Sequence, residues 1–496
     1  MKKLVCCFVA VLSLSLPVSA ADMEDRMKRM EDMLLKMQKE LKAKDAKIEK
    51  LEEKINSKKV KAGVPLSDQQ VLDEMIKENH NKSVQYRPQG QNPQDKLLTL
   101  GKDVNSFLET LNMSAVISLV GGASSVDDAT LSEFQGGGHD PKKRGFSLQQ
   151  LELSINGTID DLFDAQANII FTEEAVELEE AYMTTRSLPY NLQLKAGYYL
   201  TEFGIINSQH VHSWDFVDQP IINTRLFGAE GMRDAGVRLS WLAPTSWYSE
   251  FMVGVQNSDG DRMISFRGEG HSHGEDGHDE EEEEHHFEEG IAGRPVNESE
   301  THALNDLVWS GRWVNSFDLS EDTTLRLGAS GLLGNNHTGG ETKIYGADVK
   351  LVIDNKELGR PEWVFQGEIM KRKYETDAVT IEEDMDAFTL PSDEVDDWGF
   401  YVQAIKALDK KWGIGVRYEY VSGSGDNFEE EERVDRDTVF ERSDRSRISP
   451  MLVYQHSEFT KLRLQYNMED SDAEGDADTL WLGVEVILGS HPAHNF

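Results

Sequence analysis

The sequence predicts an all-β protein: a 16-stranded antiparallel transmembrane β-barrel preceded by an N-terminal α-helical coiled coil. Three observations carry that prediction. An export signal opens the chain, yet no later segment offers about 18 consecutive apolar residues for a membrane helix. Beyond residue 110 the apolar residues recur with period two. The connections between those segments sort by length, short ones on one side and long ones on the other.

The first twenty residues, MKKLVCCFVAVLSLSLPVSA, place two lysines before an apolar run and a small-residue site after it. This is a secretory signal peptide, with cleavage expected after Ala20. Cys6 and Cys7 lie at the start of the run and not at the cleavage point, which argues against a lipid anchor. The mature chain then has no cysteine, hence no disulfide framework and no thiolate metal site. The formal charge is −39, from 90 acidic and 51 basic residues. That balance excludes nucleic acid as a partner, because phosphates require a basic surface.

Residues 21–56 carry a heptad. Met27, Leu34, Leu41, Ile48 and Ile55 occupy its a positions; Met30, Met37 and Leu51 occupy d, with Lys44 the polar exception. Such a repeat predicts a coiled coil and therefore an oligomer; a lone charged helix is the plainer alternative. Residues 57–105 read as a linker and 106–496 as the barrel.

In "WGIGVRYEY", Trp412, Ile414, Val416, Tyr418 and Tyr420 face one way, while Gly413, Gly415, Arg417 and Glu419 face the other. "AGVRLSWL", "LRLGASGLL", "KLRLQYN" and "LWLGVEVIL" alternate in the same manner. Sixteen segments are expected near 112–121, 146–157, 163–172, 177–186, 191–200, 234–243, 247–257, 306–317, 322–333, 343–354, 361–374, 398–408, 411–422, 445–455, 459–468 and 479–488. The long connections are 122–145, 201–233, 258–305, 375–397 and 423–444. Trp241, Trp247, Trp309, Trp398 and Trp412 fall near strand ends, where interfacial aromatic girdles form. A secreted all-β protein is the alternative, but a soluble sandwich has no reason to sort its loops by length.

Residues 192–244, "LQLKAGYYLTEFGIINSQHVHSWDFVDQPIINTRLFGAEGMRDAGVRLSWLAP", run a strand into Thr-Glu-Phe-Gly, then a long loop rich in His, Trp and Arg, then a returning strand. With Phe496 at the C-terminus, this resembles the outer-membrane porins, closest to the phosphate-selective porin superfamily and its uncharacterised zinc-associated relatives. The resemblance implies a homotrimeric channel in outer-membrane lipid. The family's phosphate selectivity implies basic loops; the loops here are acidic, so that specificity does not carry over. A TonB-dependent receptor would need about 22 strands and a plug, for which the residues before the first strand leave no domain.

Porin function is set by what lines the lumen. Alternation turns Lys195, Arg238, Arg312, Arg326, Arg417 and Arg463 inward, a basic wall that would set a transverse field against an acidic inserted loop. Loop 201–233 supplies Glu202, His210, His212, Asp215, Asp218 and Arg225 as pore-constriction residues. It could equally be a loop packed for stability by Trp214 and Phe216. His210 and His212 share a face in an extended segment and could chelate a metal.

The stretch "HSHGEDGHDEEEEEHH", residues 271–286, lies in the external loop 258–305. Its His271, His273, His278, His285 and His286 are candidate metal ligands for Zn²⁺ or another divalent cation, bound weakly and not as a required cofactor. The alternative is a solvated acidic run. No G-x-S-x-G, H-E-x-x-H or phosphate-cradling glycine loop appears, so no catalytic residue is assigned and an enzyme is not expected. The leading expectation is passive diffusion of small hydrophilic solutes or ions. The rivals are an outer-membrane anchor tethering the cell wall through the coiled coil and a secreted metal-binding β protein.

Overall fold

The computed structural model describes residues 112–496 apart from 161, 174, 269–290, 292–300, 302, 384–385, 426–441 and 490–496. The signal peptide, the coiled coil, the linker and the five histidines of 271–286 lie outside the described residues.

Eighteen strands are described: β1 (Asn112–Ser124), β2 (Gly145–Ile159), β3 (Phe163–Phe171), β4 (Val176–Thr185), β5 (Leu192–Leu200), β6 (Arg233–Leu242), β7 (Tyr248–Gln256), β8 (Val308–Ser320), β9 (Thr323–Asn335), β10 (Glu341–Asn355), β11 (Arg360–Thr376), β12 (Val379–Glu383), β13 (Asp386–Leu390), β14 (Asp393–Ala407), β15 (Trp412–Ser424), β16 (Arg445–Ser457), β17 (Thr460–Ser471) and β18 (Gly475–Gly489). All but β12 and β13 join one closed barrel of antiparallel neighbours. β1 closes the ring by pairing β18, from Ser114 opposite Gly489 to Ser124 opposite Thr479. Closure leaves no row of unpaired backbone donors and acceptors, the condition for a sheet to sit in hydrocarbon.

The two faces follow the sequence alternation. Outward Trp412, Ile414, Val416 and Tyr418 are exposed, whereas Arg417 and Glu419 are buried inside. The same holds for Val237, Leu239 and Trp241 against Arg238 and Ser240, and for Leu464 and Tyr466 against Arg463 and Gln465. Trp241, Trp247, Trp309, Trp398 and Trp412 all point outward and are exposed. Phe251 stacks between Trp241 and Trp313, with centroid separations of 5.8 and 5.4 Å. An apolar outer band with aromatics around a polar interior defines a membrane-spanning barrel of the outer-membrane type.

The segment 375–397, expected as a loop, is largely strand. β11 runs to Thr376, β14 starts at Asp393, and β12 pairs with β13 as a separate hairpin between them. Cross-strand ion pairs hold this polar extension: Lys371–Asp396 at 2.7 Å, Lys373–Glu394 at 2.5 Å and Lys343–Glu375 at 2.9 Å. Charged ladders of this kind carry no apolar period, so a period-two reading passes over them.

The apolar core lies inside the barrel. Phe203, Ile206, Trp214, Ile222, Leu226 and Phe227 from the β5–β6 connection cluster with Met263 and Phe266 from the β7–β8 connection. Wall residues Leu332, Ile344, Met370, Tyr401 and Val421 complete the cluster.

Candidate functional site: the loop folded into the barrel

The β5–β6 connection enters the barrel and touches wall strands on all sides, forming a septum. Two short helices frame the described loops: α1 (Asp128–Phe134), after β1, and α2 (Ile221–Phe227), within the septum. Pro220 fixes an extended approach to α2. Gly228 ends it at φ +75°, a backbone that a side chain would strain.

Wall carboxylates and amides hold the septum's backbone. Glu368 on β11 accepts from the N–H groups of Ile205 at 2.8 Å and Ile206 at 3.0 Å, and from the Tyr401 hydroxyl at 2.6 Å. Glu419 on β15 accepts from the Ile221 N–H at 2.8 Å. Gln465 on β17 accepts from the Val217 N–H at 2.8 Å. Three strands further round the ring, Gln149 of β2 donates to the Val217 carbonyl at 3.1 Å.

Five of the six inward cations meet carboxylates. Glu202 meets Arg238 at 2.7 Å and Lys195 at 3.4 Å. Burial opposes its charge, but Lys195 and Arg238 hold the carboxyl down at about 2. Arg312 forks onto Asp348 at 2.8 and 3.2 Å. Arg463 binds Glu485 at 3.0 Å and the carbonyls of Trp214 and Phe216, each at 2.9 Å. Arg417 pairs with Asp218 and, at 2.6 Å, with Glu419. Arg326 is half-buried beside Arg312 and Asp348. In low dielectric an unpaired cation is costly, and Lys195, Arg238, Arg312, Arg417 and Arg463 are each matched by a carboxylate.

Asp218, fully buried, is the hub of the septum. It accepts from Gln465 Nε2 at 2.8 Å and Asn467 Nδ2 at 2.6 Å, and faces Arg447 at 3.5 Å. Against the effect of burial, Arg447 and Arg417 hold its carboxyl at about 2. Nearby Asp140, which accepts from the Gln219 N–H at 2.9 Å, is pushed up to about 6 by burial and by Asp218. Asp215 accepts from Gln403 at 2.8 Å. Arg225 donates to the Ser443 carbonyl at 2.6 Å; burial, opposed by Asp397, brings it down to about 10.

His210 and His212 stack, with centroids 5.8 Å apart and planes 14° apart. His210 Nδ1 lies 2.5 Å from Glu179, and its Nε2 lies 2.9 Å from Glu180. His212 Nδ1 lies 2.6 Å from Glu152. Burial works against a charged imidazole at His210, but Glu179 and Glu152 outweigh it and hold the ring protonated well above the usual range. Glu152, Glu179 and His210 bring three potential metal-ligand atoms within 4.8 Å of one another.

Sequence reasoning did not find Glu152, Glu179, Glu180, Glu368 or His139. A bulge explains the adjacent pair. Asn168 of β3 faces Glu180 and Ile169 faces Leu178, so Glu179 is the extra residue and both glutamates turn inward. His139, beyond α1, meets Glu230 of the septum loop at 3.0 Å. Burial opposes its charge, and Glu230 raises its pKa to about 9.

A cavity of about 600 Å³ lies on the long-loop side of the septum, with His139, Glu177, Arg225, Glu230, Arg372 and Arg442 among its lining. Another, of about 580 Å³, includes Gln166, Tyr182, Lys195, Glu202 and Arg238.

The ring, its apolar outer band and its inserted loop define a closed 16-stranded barrel of the outer-membrane type. No family model matches the chain. It is 29% identical over 420 residues to an uncharacterized protein of Aquifex aeolicus (strain VF5), covering 79% of this chain and 80% of that one. Among solved structures it is similar to the trimer form of OmpT, an outer membrane protein of Vibrio cholerae, at 9% identity and a TM-score of 0.44 over 76% of this chain and 99% of that chain. An anion-selective porin from Comamonas acidovorans gives the same values. The outer membrane channel DcaP of Acinetobacter baumannii gives 10% identity and a TM-score of 0.47, over 76% of this chain and 97% of that chain.

Proposed function

We propose that the chain is an outer-membrane porin admitting small hydrophilic solutes or ions past a narrow constriction, by diffusion and without covalent chemistry. One observation carries this reading: a charged, ion-paired loop is seated inside a closed barrel with a polar-lined cavity to either side. Glu202, His210, His212, Asp215, Asp218 and Arg225 narrow the passage, and the inward cations fix the loop. The heptad of 21–56 supports an oligomer, and the porin resemblance makes it a trimer. The histidines of 271–286 gather Zn²⁺ or a similar cation at the mouth.

The test is conductance of the purified oligomer in planar bilayers, with reversal potentials in a salt gradient before and after adding Zn²⁺. Discrete steps are expected, with a zinc effect that disappears when 269–289 is deleted. An unchanged zinc effect after deletion would dismiss that loop as the metal site. The dense packing of the septum favours a second reading, a barrel that anchors the envelope through its coiled coil. Absence of any conductance step would select it.

A further inference from the structure

We propose that Glu152, Glu179 and His210 form an internal binding site for a divalent transition-metal cation, with Glu180 orienting the histidine. The inference deepens the channel reading and rests on it, because it names a cation as a solute that meets the septum.

The donor set is the first argument. Two carboxylate oxygens and one imidazole nitrogen suit Zn²⁺ and its borderline neighbours better than Ca²⁺ or Mg²⁺, which take oxygen alone. The three donors belong to β2, β4 and the septum, so a bound ion would tie the loop to the wall at two strands. Around a four-coordinate ion with bonds of about 2.1 Å, ligand atoms stand about 3.4 Å apart. His210 Nδ1 now lies 2.5 Å from Glu179 and 3.8 Å from Glu152, and the whole set lies within 4.8 Å. Side-chain rotation alone spans those differences.

The surrounding contacts are the second argument. A metal-bound histidine usually donates its other ring N–H to a carboxylate, which fixes tautomer and orientation. Here His210 Nε2 already faces Glu180 Oε2 at 2.9 Å, and Glu180 is itself held by the Leu200 N–H at 2.9 Å. Glu152 receives Ser154 Oγ at 3.0 Å and Asn168 Nδ2 at 3.1 Å on Oε1, with His212 on Oε2. Gln150, one inward step along β2 from Glu152, is fully buried, and neither its amide nitrogen nor its oxygen has a hydrogen-bond partner.

Charge balance is the third. Glu179 faces His210 Nδ1 and Glu180 faces its Nε2, which Asn168 Nδ2 also approaches at 3.0 Å. A divalent ion on Nδ1 would have its charge cancelled by Glu152 and Glu179. Glu180 keeps Lys195 at 3.9 Å.

The experiment uses full-length protein in detergent, stripped with a chelator and titrated with Zn²⁺ alone by calorimetry. Deletion of 269–289 removes the external histidines. One Zn²⁺ per chain should still bind, and His210→Gln or Glu179→Gln in that background should weaken it at least a hundredfold. Heat-modifiable migration confirms that each variant folds. X-ray absorption of the bound zinc should report nitrogen and oxygen ligands only. No stoichiometric Zn²⁺ in the deletion protein, or binding indifferent to both substitutions, overturns the site. Conductance on the same samples separates the two readings: steps without zinc binding sink this site alone, and zinc binding without steps sinks the channel.

Discussion

Asp218→Ala removes the centre of the septum's ion-pair network. Four side chains converge on that carboxylate: Arg417, Arg447, Gln465 and Asn467. Deleting one partner of a buried pair costs about 3–5 kcal/mol, because the remaining charge stays desolvated. Arg417 and Arg447 retain Glu419, at 2.6 and 2.9 Å, which places the cost toward the lower end. At about 1.4 kcal/mol per tenfold, 3 kcal/mol raises the population with the septum detached from its wall roughly a hundredfold. Two assays read this. Single-channel records should show larger or longer-lived steps. Hydrogen exchange at the Ile205, Val217 and Ile221 amides, all donors to wall side chains, should accelerate by a similar factor. Asp218→Asn keeps the shape and should show most of the effect, since charge is the operative property. The carboxyl is held at about 2 against its ordinary 3.8. Its contribution is present above 3.8 and lost as the pH falls through about 2, so wild-type protein should keep a seated septum from pH 7 down to 4 as far as this group decides. Unchanged exchange at all three amides in a folded Asp218→Ala barrel would refute the reasoning.

Other predictions concern the loop contacts and the lipid face. The His139–Glu230 contact should contribute about 3 kcal/mol, from a rise of the imidazole from 6.5 to about 9. A raised histidine stabilises fully below 6.5 and loses that effect as the pH climbs through about 9. The urea midpoint of wild type should therefore exceed that of His139→Gln at pH 6 and converge with it near pH 10; a constant gap refutes the pairing. Val416→Arg places a charge on the outward face and should cost about 2–4 kcal/mol in unfolding from lipid vesicles, if the site lies near the midplane. The neighbouring Arg417→Leu should also destabilise, by leaving the buried Asp218 and Glu419 to share Arg447 alone. A silent Val416→Arg would mean that the apolar face does not meet lipid.

The barrel was legible in the sequence because membrane strands obey one rule. Each residue faces lipid or lumen, and Trp412 through Tyr420 alternate without exception. Polar strand extensions were not legible, since Glu394, Asp396 and Lys373 pair across strands with no apolar partner to mark the period. The inward loop was nameable, and its residues are in the lumen, but their partners were not. Glu368 lies more than 160 residues from Ile205 and Ile206 in sequence, and nothing local marks it as their acceptor. Bulges hid still more. Period-two reading sends Glu179 and Glu180 to opposite faces; the extra residue in β4 sends both inward, and the His210 cluster exists only because of it. The skipped Gln149 in the β1–β2 pairing has the same consequence, turning Gln149 and Gln150 inward together.

The pairing of the lumen's charges decides how the septum can move. A free basic wall would attract anions and leave the loop loosely held. Lys195, Arg238, Arg312, Arg417 and Arg463 instead each meet a carboxylate, and several partners are shared. Arg417 and Arg447 both use Asp218 and Glu419; Lys195 and Arg238 both use Glu202; Arg372 and Arg442 both use Asp397. In such a network one charge cannot leave alone without stranding its neighbours in low dielectric. Glu419 also accepts from the Ile221 N–H, so lifting α2 disturbs two arginines at once. Displacing the septum from its wall therefore requires several of these pairs to break together.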